Sequence, residues 1–297
     1  MTYSIVARDP ESGELGVAVQ SHWFSVGPIV PWARPGVGAV ATQANAEVAY
    51  GPRALDLLEA GLDAPAALDR LRGEDPSAES RQVAVVDRTG GVAVHTGRDC
   101  IPFAGHTTGE GFSCQANIMA SERVWPAMRE AFEGSRGPLA ERLMLALEAA
   151  EAAGGDARGR QSAAILVVPA EGEPWRSQIS LRVEDHPEPL AELRRLLGVH
   201  AAYRLAGRAD ELVGEGRHGE AAELFRQASN LDPDNHELRF WAGLGAAAAG
   251  DLQTALEHVR AAIAAHPGWR ELLGRLPPEV APSAEAVRAR LEAGGET

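Results

Sequence analysis

The chain changes character near residue 190, and this break constrains its fold more than any other feature of the sequence. Before it, short strand-forming runs alternate with helical blocks. After it, the sequence is rich in Ala and Leu, almost purely helical, and repetitive. Gly216, Ala221 and Pro233 recur as Gly250, Ala255 and Pro267, each 34 residues further on. Glu220–Phe225 (EAAELF) aligns with Thr254–Val259 (TALEHV), and Asp232-Pro233 aligns with His266-Pro267. A period of this length fits stacked helix pairs, in which small residues allow close packing and Pro ends the pair. About two repeats fit, where such arrays usually need at least three, so docking on the first domain or on another copy is expected. An ordinary helical appendage is the competing reading. The boundaries follow as 1–197 and 198–297.

Within the first domain, Tyr3–Ala7 and Leu15–Ser21 are apolar runs rich in strand formers. The loop Asp9-Pro10-Glu11-Ser12-Gly13 joins them with turn residues, predicting a β-hairpin with Thr2 at its leading tip. Gly36–Gln43 predicts a further strand. Ala54–Glu59 and Ala66–Leu71 predict helical patches separated by Gly61, a helix stop. Gln82–Val86 and Val92–His95 predict a second hairpin, and Phe112–Ile118 another strand. Helices are expected at about 121–133 and 138–152, with Pro138 in the first turn of the second. Ser162–Val168 and Gln178–Val183 predict the closing strands. Paired strands around helices imply an α+β domain of two packed sheets.

Composition narrows the function. The chain has 297 residues, 45% hydrophobic and 24% charged, as expected for globular protein in one large or two ordinary domains. A net charge of −14 argues against nucleic acid or an anionic membrane as partner, since polyanion binding needs a concentrated basic footprint. No leading segment reads as a signal peptide, and no apolar run approaches the ~20 residues that span a bilayer. A cytoplasmic location is therefore expected. Cys100 and Cys114 are too few for a disulfide framework and are expected to be buried thiols. His22, His95 and His106 lack ligand spacing, so neither a metal nor a cofactor is expected.

Four segments carry residues suited to chemistry. Methionine removal is favoured before a small residue and would leave Thr2 with both a hydroxyl and a free α-amine, nucleophile and base in one residue. Strand alternation puts Ser4 on the same face, roughly 7 Å away. Gly154–Ser162 (GGDARGRQS) is a glycine-rich loop whose Asp156, Arg158 and Ser162 can turn toward one point, or form only an exposed turn. Asn117 in Gln115-Ala116-Asn117 can donate to an oxyanion or cap a turn. His186 beside Asp185 can act as an acid/base group, although adjacent strand residues face opposite ways and Asp185 equally suits a helix N-cap. A nucleophile elbow and a dinucleotide-binding glycine pattern are both absent from the sequence.

MTYSIVARDPESGELGVAVQS, GVGAVATQA, TGEGFSCQANIM, AAGGDARGRQSAAILVV and LRVEDHP occur in that order. Together they resemble a bacterial domain-of-unknown-function family of the N-terminal-nucleophile (Ntn) hydrolase superfamily, over about residues 1–197. The 34-residue period resembles tetratricopeptide repeats. The first resemblance implies a four-layer αββα sandwich, an attack on an amide by Thr2, and support of the terminal amine by Asp156 and Ser162. Such threonine enzymes place a lysine near the nucleophile, and the first domain here has none.

The resulting expectation is an amidohydrolase acting on a small amide or peptide-like substrate. Thr2, Asn117, Asp156 and Ser162 are its catalytic candidates, and Ser4, Gln43, Arg158 and His186 its substrate contacts. The helical repeats are expected to recruit a protein partner and the chain to form a homo-oligomer. The alternatives are an inactive ligand-binding scaffold and a purely structural oligomer.

Overall fold

The computed structural model describes residues 2–293, which divide into two compact units between Arg194 and Arg195. The first unit is α+β. It begins with strands β1 (Thr2–Arg8), β2 (Leu15–Ser21), β3 (Pro31–Arg34) and β4 (Gly38–Ala44), followed by helices α1 (Tyr50–Glu59) and α2 (Ala64–Glu74). Strands β5 (Arg81–Asp87), β6 (Val92–Thr96), β7 (Gly105–Gly109) and β8 (Phe112–Asn117) come next. Helices α3 (Val124–Gly134) and α4 (Leu139–Ala152), then strands β9 (Ser162–Val168) and β10 (Ile179–Val183), complete it. Helix α5 (Pro189–Gly214) carries the division between the units.

Two antiparallel sheets result. One has six strands in the order β10-β9-β2-β1-β8-β7, and the other four in the order β3-β4-β5-β6. Strand alternation explains how they pack. Val6, Val17, Val19 and Ala164 of the larger sheet meet Ala39, Ala41, Ala84 and Val86 of the smaller one in a shared core. The alternate residues Val40, Val83 and Val85 face the other way and pack under Leu55, Leu58, Leu68 and Leu71 of α1 and α2. Helix α4 packs on β1, β2 and β9, and α3 on β7 and β8. Each fully buried Val or Leu stabilises this arrangement by about 1.5–3 kcal/mol relative to exposure.

Strands β3 and β7 are absent from the sequence-based expectation. β3 is four residues long, starts with Pro31 and lies at a sheet edge. β7 is the polar, half-exposed edge segment GHTTG. Neither has an apolar alternation to read. Among the boundaries that differ, β4 starts at Gly38 because Gly36 is left-handed (φ +66), and Pro138 is an N-cap.

Asp87 ties α2 to the β5–β6 turn. Its carboxylate accepts from Thr89 N (2.9 Å), the Thr89 hydroxyl (2.6 Å), Gly91 N (2.9 Å) and Ala64 N (3.1 Å). Burial raises its pKa, but these hydrogen bonds outweigh burial and hold it below the usual carboxylate value. A depressed folded pKa stabilises the fold above the unfolded value of about 3.9, and that stabilisation fades as pH falls through the folded pKa. Asp87→Ala is expected to cost about 2–3 kcal/mol at pH 7 and to flatten the loss of stability below pH ~4. Urea titrations at pH 7 and pH 3 check this; equal losses at both pH values would contradict it.

The second unit is helical, with α6 (His218–Leu231), α7 (His236–Ala248), α8 (Leu252–Ala265), α9 (Gly268–Leu273) and α10 (Ala284–Ala293) after the end of α5. The 34-residue equivalents occupy like positions. Gly216 and Gly250 are both left-handed, just before α6 and α8, and Ala221 and Ala255 are fully buried. Helix α7 fits between α6 and α8 through its glycines. A Cβ on Gly245 would come within 2.8 Å of Phe225, and one on Gly243 within 2.8 Å of Val259, the residue 34 positions after Phe225. Among the described residues, no helix is long and apolar enough to cross a membrane.

Candidate active site

Strand register builds a polar row at one end of the six-stranded sheet. Thr2 pairs with Asn117 on one side and with Ser21 on the other, and Ser21 pairs with Ser162. Four adjacent strands thus carry Asn117, Thr2, Ser21 and Ser162 side by side. Thr2 leads the β1–β2 hairpin, as the sequence predicts, and is the first described residue of a central strand. It is 5% exposed, and its Oγ1 lies 3.1 Å from Ser21 Oγ. Sequence reasoning missed Ser21, because only the β1–β2 register puts it beside Thr2.

Thr2 opens onto a cavity of about 400 Å³ between the sheets. Thr2, Ser21, Gln43 and Asn45 form its polar side, and Trp23, Val26, Ile29, Val30 and Val48 its apolar side. Ala44 in its wall has φ +70, Ser25 beside it φ +56, and Ile118, next to Asn117, φ +56. Each left-handed non-glycine residue costs on the order of 1 kcal/mol or more, a strain that collects at functional sites.

Behind Thr2 lies a buried amide network. The Ser4 hydroxyl donates to Gln43 Oε1 (2.6 Å) and accepts from Gln115 Nε2 (2.6 Å). Gln43 Nε2 donates to Gln82 Oε1 (2.7 Å) and to the Thr2 carbonyl (3.3 Å). Asn117 Nδ2 donates to the same two acceptors, at 3.0 and 3.4 Å. Gln82 Nε2 reaches Ala116 O and the Thr96 hydroxyl, both at 2.9 Å, and Thr96 pairs with His106 Nδ1 at 2.8 Å. Burial first, and nearby His95 second, lower the His106 pKa and favour the neutral imidazole. Ser4 is therefore a fully buried strut rather than a substrate contact. Asn117 Nδ2 points into this network, which does not fit the oxyanion role expected for it.

The glycine-rich loop supplies a buried carboxylate. Asp156 accepts from His22 N (3.1 Å) and Arg158 N (2.9 Å), and its Oδ2 lies 3.1 Å from Arg158 Nη2. Its side chain is 0% exposed, and its donor His22 is the residue after Ser21. Arg158 pairs with Asp156 and is not among the residues that line the cavity. The Ser162 hydroxyl donates to Trp23 O (2.5 Å) and accepts from Val26 N (3.1 Å), holding the loop that walls the cavity. His186 is exposed and accepts from Glu188 N (3.0 Å), away from the cavity lining; its own side chain, not Asp185, serves the start of α5. Asp156→Ala is expected to cost about 3 kcal/mol by stranding these donors and the guanidinium, and Arg158→Ala clearly less. Chemical denaturation ranks the two, and equal small losses would contradict the buried pair.

Burial suppresses two further nucleophiles, Tyr3 and Cys114. Tyr3 points to the opposite face, where its hydroxyl donates to Glu151 Oε2 (2.7 Å). Burial first, then the Glu151 charge, push its pKa well above the usual value. Burial likewise raises the Cys114 thiol. Cys100 is only half-buried, short of the buried thiol expected. Among the described residues, no three His, Cys, Asp or Glu side chains gather as a metal site. The whole chain contains no lysine, all 28 of its basic residues being arginine.

Fold and site together define a class: an α+β unit of two packed antiparallel sheets with a buried threonine heading a central strand beside a cavity. The chain belongs to the family of unknown function DUF1028, which matches residues 2–193. It is similar to protein SPO2555 from Silicibacter pomeroyi, a crystal structure of the same family, at 32% identity and TM-score 0.61. That similarity covers 66% of this chain and 87% of the other. Anbu (ancestral beta-subunit) from Yersinia bercovieri aligns at 12% identity and TM-score 0.35, over 66% of this chain and 93% of its own. No curated protein matches.

Proposed function

We propose that the first unit is an N-terminal-nucleophile amidohydrolase of four-layer αββα construction, with Thr2 as nucleophile once Met1 has been removed. Met1 lies outside the described residues. The observation that carries this reading is the position of Thr2, at the head of a central strand and in the wall of a cavity. Thr2 Oγ1 attacks the amide carbonyl carbon while the freed α-amine takes the hydroxyl proton. The C–N bond then breaks, the amine returns that proton to the leaving nitrogen, and an ester on Thr2 remains. Water attacks the ester, the amine takes the water's proton, and Oγ1 regains it as the acid leaves. Ser21 Oγ, 3.1 Å from Thr2 Oγ1, is placed to steady the nucleophile. Asp156 holds the adjacent turn through His22 N. The order of helix pair, sheet, sheet and helix pair supports the four-layer reading. The paired glycines and alanines support a tetratricopeptide-like second unit that recruits a protein partner.

A binding scaffold without catalysis is the second reading. The absence of lysine from the chain and the inward commitment of the Asn117 amide favour it. A β-lactone separates the two, because its ring opens onto an activated hydroxyl and leaves an ester. Under the hydrolase reading, the added mass maps to the peptide that begins at Thr2 and is absent from Thr2→Ala. Labelling elsewhere, or none, supports the scaffold.

A further inference from the structure

We infer that the cavity beside Thr2 takes the acyl side of the substrate, and that this acyl group is uncharged and apolar, of aliphatic or aryl type. The inference rests on the hydrolase reading only for the direction in which the substrate lies. The pocket's preference stands on its own lining.

No side chain lining the cavity carries a charge, and under the hydrolase reading the one ionisable group there is the Thr2 α-amine, at the polar end. Trp23, Val26, Ile29, Val30 and Val48 supply the far wall, and Ala44 and Ala46 leave room beside them. The polar groups cluster at the Thr2 end, where a scissile amide would sit. A carboxylate or ammonium carried into the apolar part would lose water and find no partner, a cost that excludes charged acyl groups. The loop's own charge is already matched: Asp156 is paired with Arg158, and neither lines the space. At about 400 Å³ the cavity lies within the size range of small-molecule sites, ample for a medium acyl chain.

The wall is held as a shaped surface. Ser162 fixes both ends of the Trp23–Val26 turn through Trp23 O and Val26 N, and Ser25 N bonds Glu184 O at 2.9 Å. Trp23 is nonetheless 57% exposed and neighbouring Phe24 62%, with Val48 40% exposed nearby. Large aromatic area left open beside a cavity is characteristic of ligand sites.

The test uses the full chain and aminocoumarin amides carrying acetyl, butanoyl, hexanoyl, phenylacetyl or succinyl groups. The expected kcat/KM rises about fourfold per added methylene until the cavity is filled. The succinyl amide is expected to be at least ten times slower than the butanoyl amide. Val48→Glu, at an exposed position that tolerates substitution, is expected to lower hexanoyl turnover about tenfold, and Val48→Ala far less. In parallel, calorimetry measures binding of hexanamide and of succinamate to Thr2→Ala. Selective binding of hexanamide without any amide turnover would leave the apolar acyl pocket standing and remove the hydrolase reading. Turnover indifferent to chain length, a preference for succinyl, or no binding of hexanamide would overturn the inference, whatever the fate of the hydrolase.

Discussion

Gln82→Leu is expected to lower the melting temperature of the first unit by roughly 8–16 °C, equivalent to about 4 kcal/mol. Gln82 is fully buried and joins the two sheets. Its Oε1 accepts from Gln43 Nε2 and Asn117 Nδ2, and its Nε2 serves Thr96, Gly105 O and Ala116 O. Leucine fills a similar volume but offers neither donor nor acceptor. Several buried polar groups then lose partners at about 1–3 kcal/mol each, partly relieved by relaxation. Since domain stability is only about 5–15 kcal/mol, the loss is a large fraction of the whole. Calorimetry checks it. A shift below about 2 °C would mean that the network does not join the sheets.

Thr2→Ala is expected to abolish amide hydrolysis, at least a thousandfold in kcat, while the protein stays folded. The substitution removes one hydroxyl and its bond to Ser21 Oγ, worth about 1 kcal/mol of stability. Thr2→Ser keeps hydroxyl and amine and is expected to retain measurable activity. The base must be unprotonated to accept the hydroxyl proton, so the rate rises with pH through the amine's pKa and levels above it. For an α-amino group the model value is about 7.7–8.0, which puts the rise between roughly pH 6.5 and 8.5. Steady-state rates across this range read it, and a rate that falls from pH 6.5 to 8.5 would contradict an amine base.

Much of this fold is legible in the sequence where a strand or helix has its own periodicity. Tyr3–Ala7, Leu15–Ser21 and Ser162–Val168 are apolar runs bounded by turn residues, and each is a strand. The GHTTG and PWAR edge strands are held by pairing partners rather than by composition, and are invisible to such a reading. The site divides the same way. Thr2 is identifiable from its place behind Met1, whereas Ser21 matters only through its register with Thr2. Gln43, a substrate contact on the sequence reading, does line the cavity, but its amide is spent on Gln82 and the Thr2 carbonyl. Ser4, Asn117 and Ser162 have side chains suited to chemistry, and in the fold they bond to the protein itself. Distinguishing a strut from a reactive group needs the partner across the sheet, which lies tens of residues away in sequence. His186 shows the limit of a local motif, since its ring nitrogen accepts from Glu188 N at the start of the helix that follows it.

The central claim is that Thr2 acts through its freed amine, and one comparison tests it directly. A bulky residue inserted after Met1 blocks methionine removal and keeps the Thr2 nitrogen in a peptide bond, with every side chain of the site still present. Intact mass reports which chains retain Met1, and turnover of hexanoyl-aminocoumarin reports activity on the same samples. The account predicts activity in the wild-type chain that has lost Met1 and none in the blocked chain. Equal activity in a chain whose mass shows Met1 retained would contradict it.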